Sequence, residues 1–188
     1  MSQFIHTQGC KLVTVFAHDL ILLLKIVISS TNSSGIPVLK GPLILPEERN
    51  NSLNTMLRII PRLSPSYIVR FDFKPTSFQR GYTNILHLTA TGDDCCYSGD
   101  RVPGVWFHGT WKGAEKNRIR VCSAVNGIGN YCLNSGDLVQ RDQWTTVEIS
   151  QRPDGQFYIY HVKVGGIYLG AVWNRQPRFF YDVKVFGF

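Results

Sequence analysis

From Ser64 onward the chain alternates apolar and polar residues with a period of two. In "YIVRFDF", Tyr67, Val69, Phe71 and Phe73 fall on one face while Arg70 and Asp72 fall on the other. That is the pattern of a half-buried antiparallel strand. The same alternation returns in "NILHLTAT" from Asn84, "GVWFHG" from Gly104, "NRIRVCSAV" from Asn117 and "TTVEIS" from Thr145. It continues in "FYIYHVKV" from Phe157, "YLGAVW" from Tyr168 and "FFYDVKVFGF" from Phe179. No stretch carries the 3.6-residue apolar period of an amphipathic helix. Short strands separated by Gly, Asn and Asp predict an all-β protein, an antiparallel β-sandwich of jelly-roll type.

Upstream of Ser64 the pattern changes twice. Residues 1–31 contain "LVTVFAHDLILLLKIVISS", an apolar run interrupted by Asp19 and Lys25. It is too short and too charged to fill the roughly twenty residues that a bilayer span needs, so no membrane span is expected. "LILLLKIVISS" fits the apolar core of a secretory signal ending in small residues, or else a disordered or frayed leading segment. Residues 32–63 carry Pro37, Pro42, Pro46 and Pro61; proline at this density denies a long helix and suits a lead-in or an edge strand. The sandwich itself is expected over residues 64–188. With 188 residues in all, the chain fits one core and a short appendage, since single cores occupy roughly 100 to 200 residues.

Charge adds a bias. The net charge of +7 comes from 20 Lys and Arg against 13 Asp and Glu, spread along the chain. Such an excess steers anionic partners. Nucleic acid is not the expected one, because no zinc-finger, RNP-type or helical basic motif accompanies the charge. Instead Lys112, Lys116, Arg118 and Arg120 gather around the turn at 109–118, a place where an anionic glycan would dock.

The cysteines bear on compartment. Cys10 stands apart, and Cys95, Cys96, Cys122 and Cys132 lie within the body of the chain. The turn "NGIGN" predicts a hairpin centred on Gly127 that sets Cys122 opposite Cys132, away from Ile119, Val121 and Val125. Four cysteines allow three pairings. One joins Cys122 to Cys132 and Cys95 to Cys96; the reading favoured here is two bridges from the Cys95-Cys96 loop to the hairpin, because adjacent cysteines pair only with strain. Zinc ligands want wider spacing, and the Cys-x-x-Cys of a redox pair is absent. A disulfide framework implies a secreted or extracellular protein, as would glycosylation of the triplets at Asn32 and Asn50.

The segments "SYIVRFDFKPTSF", "GDRVPGVWF", "RIRVCSAVNGIGNY", "DQWTTVEISQ" and "RFFYDVKVFGF" together resemble the concanavalin A-like lectin and laminin-G-like superfamily of extracellular jelly-roll modules, over about Ser64 to Phe188. The resemblance implies a noncatalytic module that binds carbohydrate or extracellular-matrix proteins, often with calcium, and it makes Trp144 a core residue. The alternatives are a glycan-active enzyme of the same fold and a structural adhesion domain with protein partners. An enzyme needs two carboxylates across a cleft, and the strand "TTVEISQRPD" offers Glu148 alone. The candidate ligand-binding residues are Trp111, Lys112, Lys116, Arg118, Asn126 and Asn130, on loops at the ends of the sandwich. Asp93, Asp94 and Asp100 supply oxygen in the pattern a calcium ion would use.

Overall fold

The computed structural model describes residues 22–31, 55–78, 81–94, 97–110, 116–136 and 139–187. Every regular element among them is a strand, and each period-two run becomes one. In chain order they are β1 (Leu22–Thr31), β2 (Thr55–Leu63), β3 (Ser66–Pro75), β4 (Gly81–Thr89), β5 (Gly104–Thr110), β6 (Lys116–Asn117) and β7 (Ile119–Val125). Then follow β8 (Ile128–Asn134), β9 (Val139–Gln140), β10 (Thr145–Asp154), β11 (Phe157–Val164), β12 (Ile167–Asn174) and β13 (Phe180–Gly187). All the pairings are antiparallel.

Two sheets form the sandwich. One has five strands in the order β1-β3-β10-β11-β12, the other six in the order β2-β13-β4-β5-β7-β8, and β6 with β9 makes a small third pair. The expected antiparallel β-sandwich of jelly-roll type is what the chain builds. Residues before the boundary expected at 64 take part: β1 pairs with β3 along its whole length, from Leu22 opposite Pro75 to Thr31 opposite Ser66. β2, from the proline-rich stretch, pairs with β13 and forms the outer edge of the six-stranded sheet. The run "LLLKIVISST", apolar on both sides of Lys25, shows no regular alternation, which is why its strand character is hidden in the sequence.

The core lies between the two inner faces. Val69, Phe71, Phe73, Val147, Ile149, Tyr160 and Val162 meet Leu86, Leu88, Val105, Phe107, Ile119, Val121, Val183 and Val185, all at most 1% exposed. Phe107 joins the layers, edge-on to Phe73 at 5.7 Å and to Phe78 at 5.2 Å between centroids, the geometry that aromatic quadrupoles favour. Trp144 departs from its expected core role: it is 57% exposed, in the turn just before β10. The core strand that follows is filled by Thr145, Val147 and Ile149 without it.

Candidate functional site

Alternation fixes what the six-stranded sheet shows to the outside. Val105 and Phe107 point into the core from β5, and Ile119 and Val121 from β7, so Trp106, His108, Arg118 and Arg120 point outward. Register then places Trp106 beside Arg120, with Asn84 on its other side. Tyr82 lies 4.8 Å from His108, ring to ring, at an interplanar angle of 37°. Tyr82 is 53% exposed, Arg118 is exposed and Arg120 half-buried. Burial lowers the pKa of His108, and the positive charges of Arg120 and then Arg118 lower it further. This end of the face is therefore aromatic and cationic, with a neutral imidazole that finds no partner for its Nδ1.

Next to it the face carries a closed polar cluster. Trp106 is only 6% exposed although it points outward. Its ring lies so close over Gly104 that a Cβ at 104 would come within 2.0 Å of it, which is the reason that glycine opens β5. The Arg101 guanidinium covers the ring from outside, 4.7 Å from the centroid. That guanidinium also donates to Asn130 Oδ1 and, at 2.7 Å, to the Asp94 carbonyl oxygen, with the Asp94 carboxylate 3.5 Å away. His87 lies beneath, donating from Nε2 to the Asp100 carbonyl oxygen at 2.6 Å. Desolvation lowers the His87 pKa, and the bond to Asp100 opposes part of that shift. The cluster is a stacked, hydrogen-bonded plug and not an open cleft.

The sequence-derived candidates divide accordingly. Trp111 and Lys112 lie outside the described residues, as do Cys95 and Cys96. Lys116 opens β6, opposite Gln140, and Arg118 belongs to the cationic end of the face. Asn130 is committed to Arg101. Asn126 is committed elsewhere: in the left-handed region at φ 54°, ahead of Gly127 at φ 75°, it makes the tight turn expected of an Asn-Gly hairpin. Its side chain donates to the Trp173 carbonyl oxygen and accepts from the Arg175 amide, both at 2.6 Å. It ties one hairpin to the end of β12.

The expected calcium ligands are not brought together. Among the described residues no group of three or more His, Cys, Asp or Glu could hold a metal ion. Asp100 is buried, and its two carboxylate oxygens accept from the Thr91 hydroxyl at 2.6 Å and the Tyr97 amide at 2.8 Å. Asp94 faces Arg101; Asp93 is exposed. Turn contacts thus occupy both carboxylate oxygens of Asp100. The favoured cysteine pairing is corrected as well: Cys122 bonds to Cys132, because the hairpin sets them directly opposite each other with Cα atoms 4.1 Å apart.

Two features of the face escape a reading of the sequence. Tyr82 precedes the run that alternates visibly, since β4 begins at Gly81 and not at Asn84. The stack of Arg101 on Trp106 joins a loop to a strand, and only the lone arginine in "GDRVPG" hints at it.

No protein-family model matches this sequence, and no curated protein matches it. Among solved structures, a native heptameric SAP-like pentraxin from Limulus polyphemus is similar, with 13% identity and a TM-score of 0.47. The likeness covers 86% of this chain and 62% of that one, so the chain spans less than two thirds of that structure. The fold described above rests on the sheets themselves.

Proposed function

We propose that this chain is a noncatalytic extracellular recognition module that binds anionic glycans through the outer face of its six-stranded sheet. The observation that carries the reading is the grouping of Arg118, Arg120, His108 and Tyr82 on one flat face. Arg120 enters no ion pair among the described residues, and a guanidinium in that condition recognises sulfate or carboxylate through charge-assisted hydrogen bonds. An exposed tyrosine ring gives a sugar ring a flat apolar surface beside those charges. A noncatalytic role fits the carboxylates: Glu148 faces Arg70 and Lys163 on the opposite sheet, and Asp100 is used within its own loop. The disulfide fits an oxidising compartment.

The test is retention on a sulfated polysaccharide, compared with the same chain unsulfated, as salt is raised. Arg118→Ala with Arg120→Ala should weaken binding about tenfold and flatten the salt dependence. Equal retention of sulfated and neutral chains, or a double variant that binds like the wild type, would overturn the reading.

A further inference from the structure

One end of the sandwich is held together by amides. At the Asn126–Gly127 turn between β7 and β8, the Asn126 backbone N–H donates to Asn174 Oδ1 at 3.0 Å. The same oxygen accepts from the Gln176 backbone N–H at 3.1 Å, and Asn174 Nδ2 donates to Gln151 Oε1 at 2.7 Å. Gln151 in turn donates from Nε2 to the Pro65 carbonyl oxygen at 2.7 Å. Asn174 and Gln151 are 2% and 4% exposed. Two buried amide side chains thus link the turn of the six-stranded sheet, through β12 and β10, to the crossing between β2 and β3.

The same turn is the one Asn-Gly step in the whole sequence, and such a step carries chemistry of its own. With no side chain on the glycine to hinder it, the Gly127 nitrogen can attack Asn126 Cγ and close a cyclic imide. The bond from that nitrogen to Cγ forms, the Cγ–Nδ2 bond breaks, and Nδ2 leaves as ammonia with the proton of the Gly127 N–H. Water then opens the imide at either carbonyl, to aspartate or to isoaspartate, with nothing oxidised or reduced. The glycine is required by the fold: its φ is 75°, in the left-handed region, and a Cβ there would lie 2.7 Å from Gln176 Oε1.

Attack requires Cγ to swing onto the Gly127 nitrogen. In the folded chain both ends of the side-chain amide are held, Nδ2 donating to the Trp173 carbonyl oxygen and Oδ1 accepting from the Arg175 N–H, each at 2.6 Å. We propose that Asn126 is a one-way latch: its deamidation is blocked while the turn is docked on β12, proceeds when the turn lifts, and then keeps the turn from docking again. An aspartate at 126 sets a carboxylate oxygen against the Trp173 carbonyl oxygen, where only a donor fits. An isoaspartate adds a backbone atom to a turn already as tight as φ values of 54° and 75° make it. The Cys122–Cys132 bond still joins β7 to β8, so the change is confined to the tip of the hairpin and its hold on β12. The rate in the folded protein is the rate in the lifted turn multiplied by the fraction of time the turn is lifted. The modified fraction therefore records how long a molecule has spent with that end of the sandwich open.

The experiment is peptide mass spectrometry of the full chain held in mildly alkaline buffer, folded and in urea above its unfolding transition, following the mass gain at Asn126 as the amide becomes an acid. Conversion should be at least about tenfold slower in the folded chain than in the unfolded one. Asn174→Ala removes the acceptor for the Asn126 backbone N–H and should speed conversion in the folded state several-fold. Should that variant unfold, the wild type in urea below its transition provides the same comparison, since conversion should rise before the far-ultraviolet strand signal changes. Asn126→Asp, which fixes one product in place, should lower Tm by about 2 to 4 °C. Equal rates in the folded and unfolded chain, a folded Asn174→Ala variant that converts as slowly as the wild type, or an Asn126→Asp variant that melts with the wild type would each overturn the proposal.

Discussion

The two outer faces of the sandwich use similar residues to different ends. On the five-stranded sheet, Arg70, Glu148 and Lys163 stand in a row across β3, β10 and β11, with Glu148 3.8 Å from each cation. Beside them Thr146 donates to Asp72. Positive and negative groups alternate across the strands, and the face is satisfied in water. On the six-stranded sheet, His108 meets the Tyr82 ring, Arg120 stands opposite Trp106 and enters no ion pair among the described residues, and the carboxylates of Asp94 and Asp100 turn toward Arg101, Thr91 and Tyr97. Net charge therefore says less than its placement: a cation with a carboxylate across the strand is a solvated surface, and one without is a candidate contact.

The faces differ also in what supports them. Trp106 anchors the six-stranded face as a small second core outside the main one, held between Gly104 and Arg101. Trp106→Ala should cost roughly 3–5 kcal/mol in urea unfolding, as for other buried aromatic truncations. Ile68→Ala, at a 44% exposed position of the five-stranded face, should cost less than about 1 kcal/mol. Similar losses at the two positions would show that the stack over Trp106 contributes little.

A smaller effect distinguishes the histidines. His87 and His161 lie on opposite outer faces, and desolvation is the leading cause of a lowered pKa in both. A lowered folded pKa means that the folded state resists protonation. The stability it contributes is present above the unfolded value of about 6.5 and is lost as pH falls through and below that value. The fall should be larger for His87, which is 5% exposed and hydrogen-bonded to the Asp100 carbonyl, than for half-buried His161. Thermal unfolding at pH 7 and pH 5 should show a drop in Tm that His87→Gln reduces more than His161→Gln does. The reverse order would mean that the six-stranded face opens readily to water.

Most of the sandwich can be read in the sequence because an antiparallel strand with one buried face writes its geometry as alternation. Tyr67, Val69, Phe71 and Phe73 are all buried in β3 as that pattern requires. The reading weakens where another constraint overrides the period: β1 is apolar on both sides of Lys25 without regular alternation, and β2 contains Pro61 yet pairs along β13. The site is less legible for a physical reason. Asp100 looks like a ligand until the Thr91 hydroxyl and the Tyr97 amide are seen at its oxygens, and Asn126 looks like a loop amide until Trp173 and Arg175 are seen beside it. The partners of Asn126 lie 47 and 49 residues away along the chain, a distance at which no local pattern forms, while those of Asp100 lie 9 and 3 residues away within a loop whose path alternation does not describe. The cysteines show the intermediate case, since the hairpin makes the Cys122–Cys132 pairing geometrically available while leaving the choice among three pairings open.

The smallest expected effect is the one that tests the comparison most directly. Glu148 is 31% exposed in its side chain, Arg70 56% and Lys163 47%, so water and salt screen the row. Glu148→Gln should change unfolding stability by less than about 0.5 kcal/mol. Its electrostatic consequence is larger than its energetic one, because the substitution leaves Arg70 and Lys163 facing solvent with no carboxylate between them. If the absence of an ion pair at Arg120 is what makes the six-stranded face a contact for anions, then Glu148→Gln should create a weak second contact on the five-stranded face. Retention on a sulfated polysaccharide should rise slightly, and the gain should persist in the Arg118→Ala, Arg120→Ala background. No gain in either background would mean that cations alone are insufficient, and that the aromatic surface of Tyr82 beside Arg118 and Arg120 sets the preference.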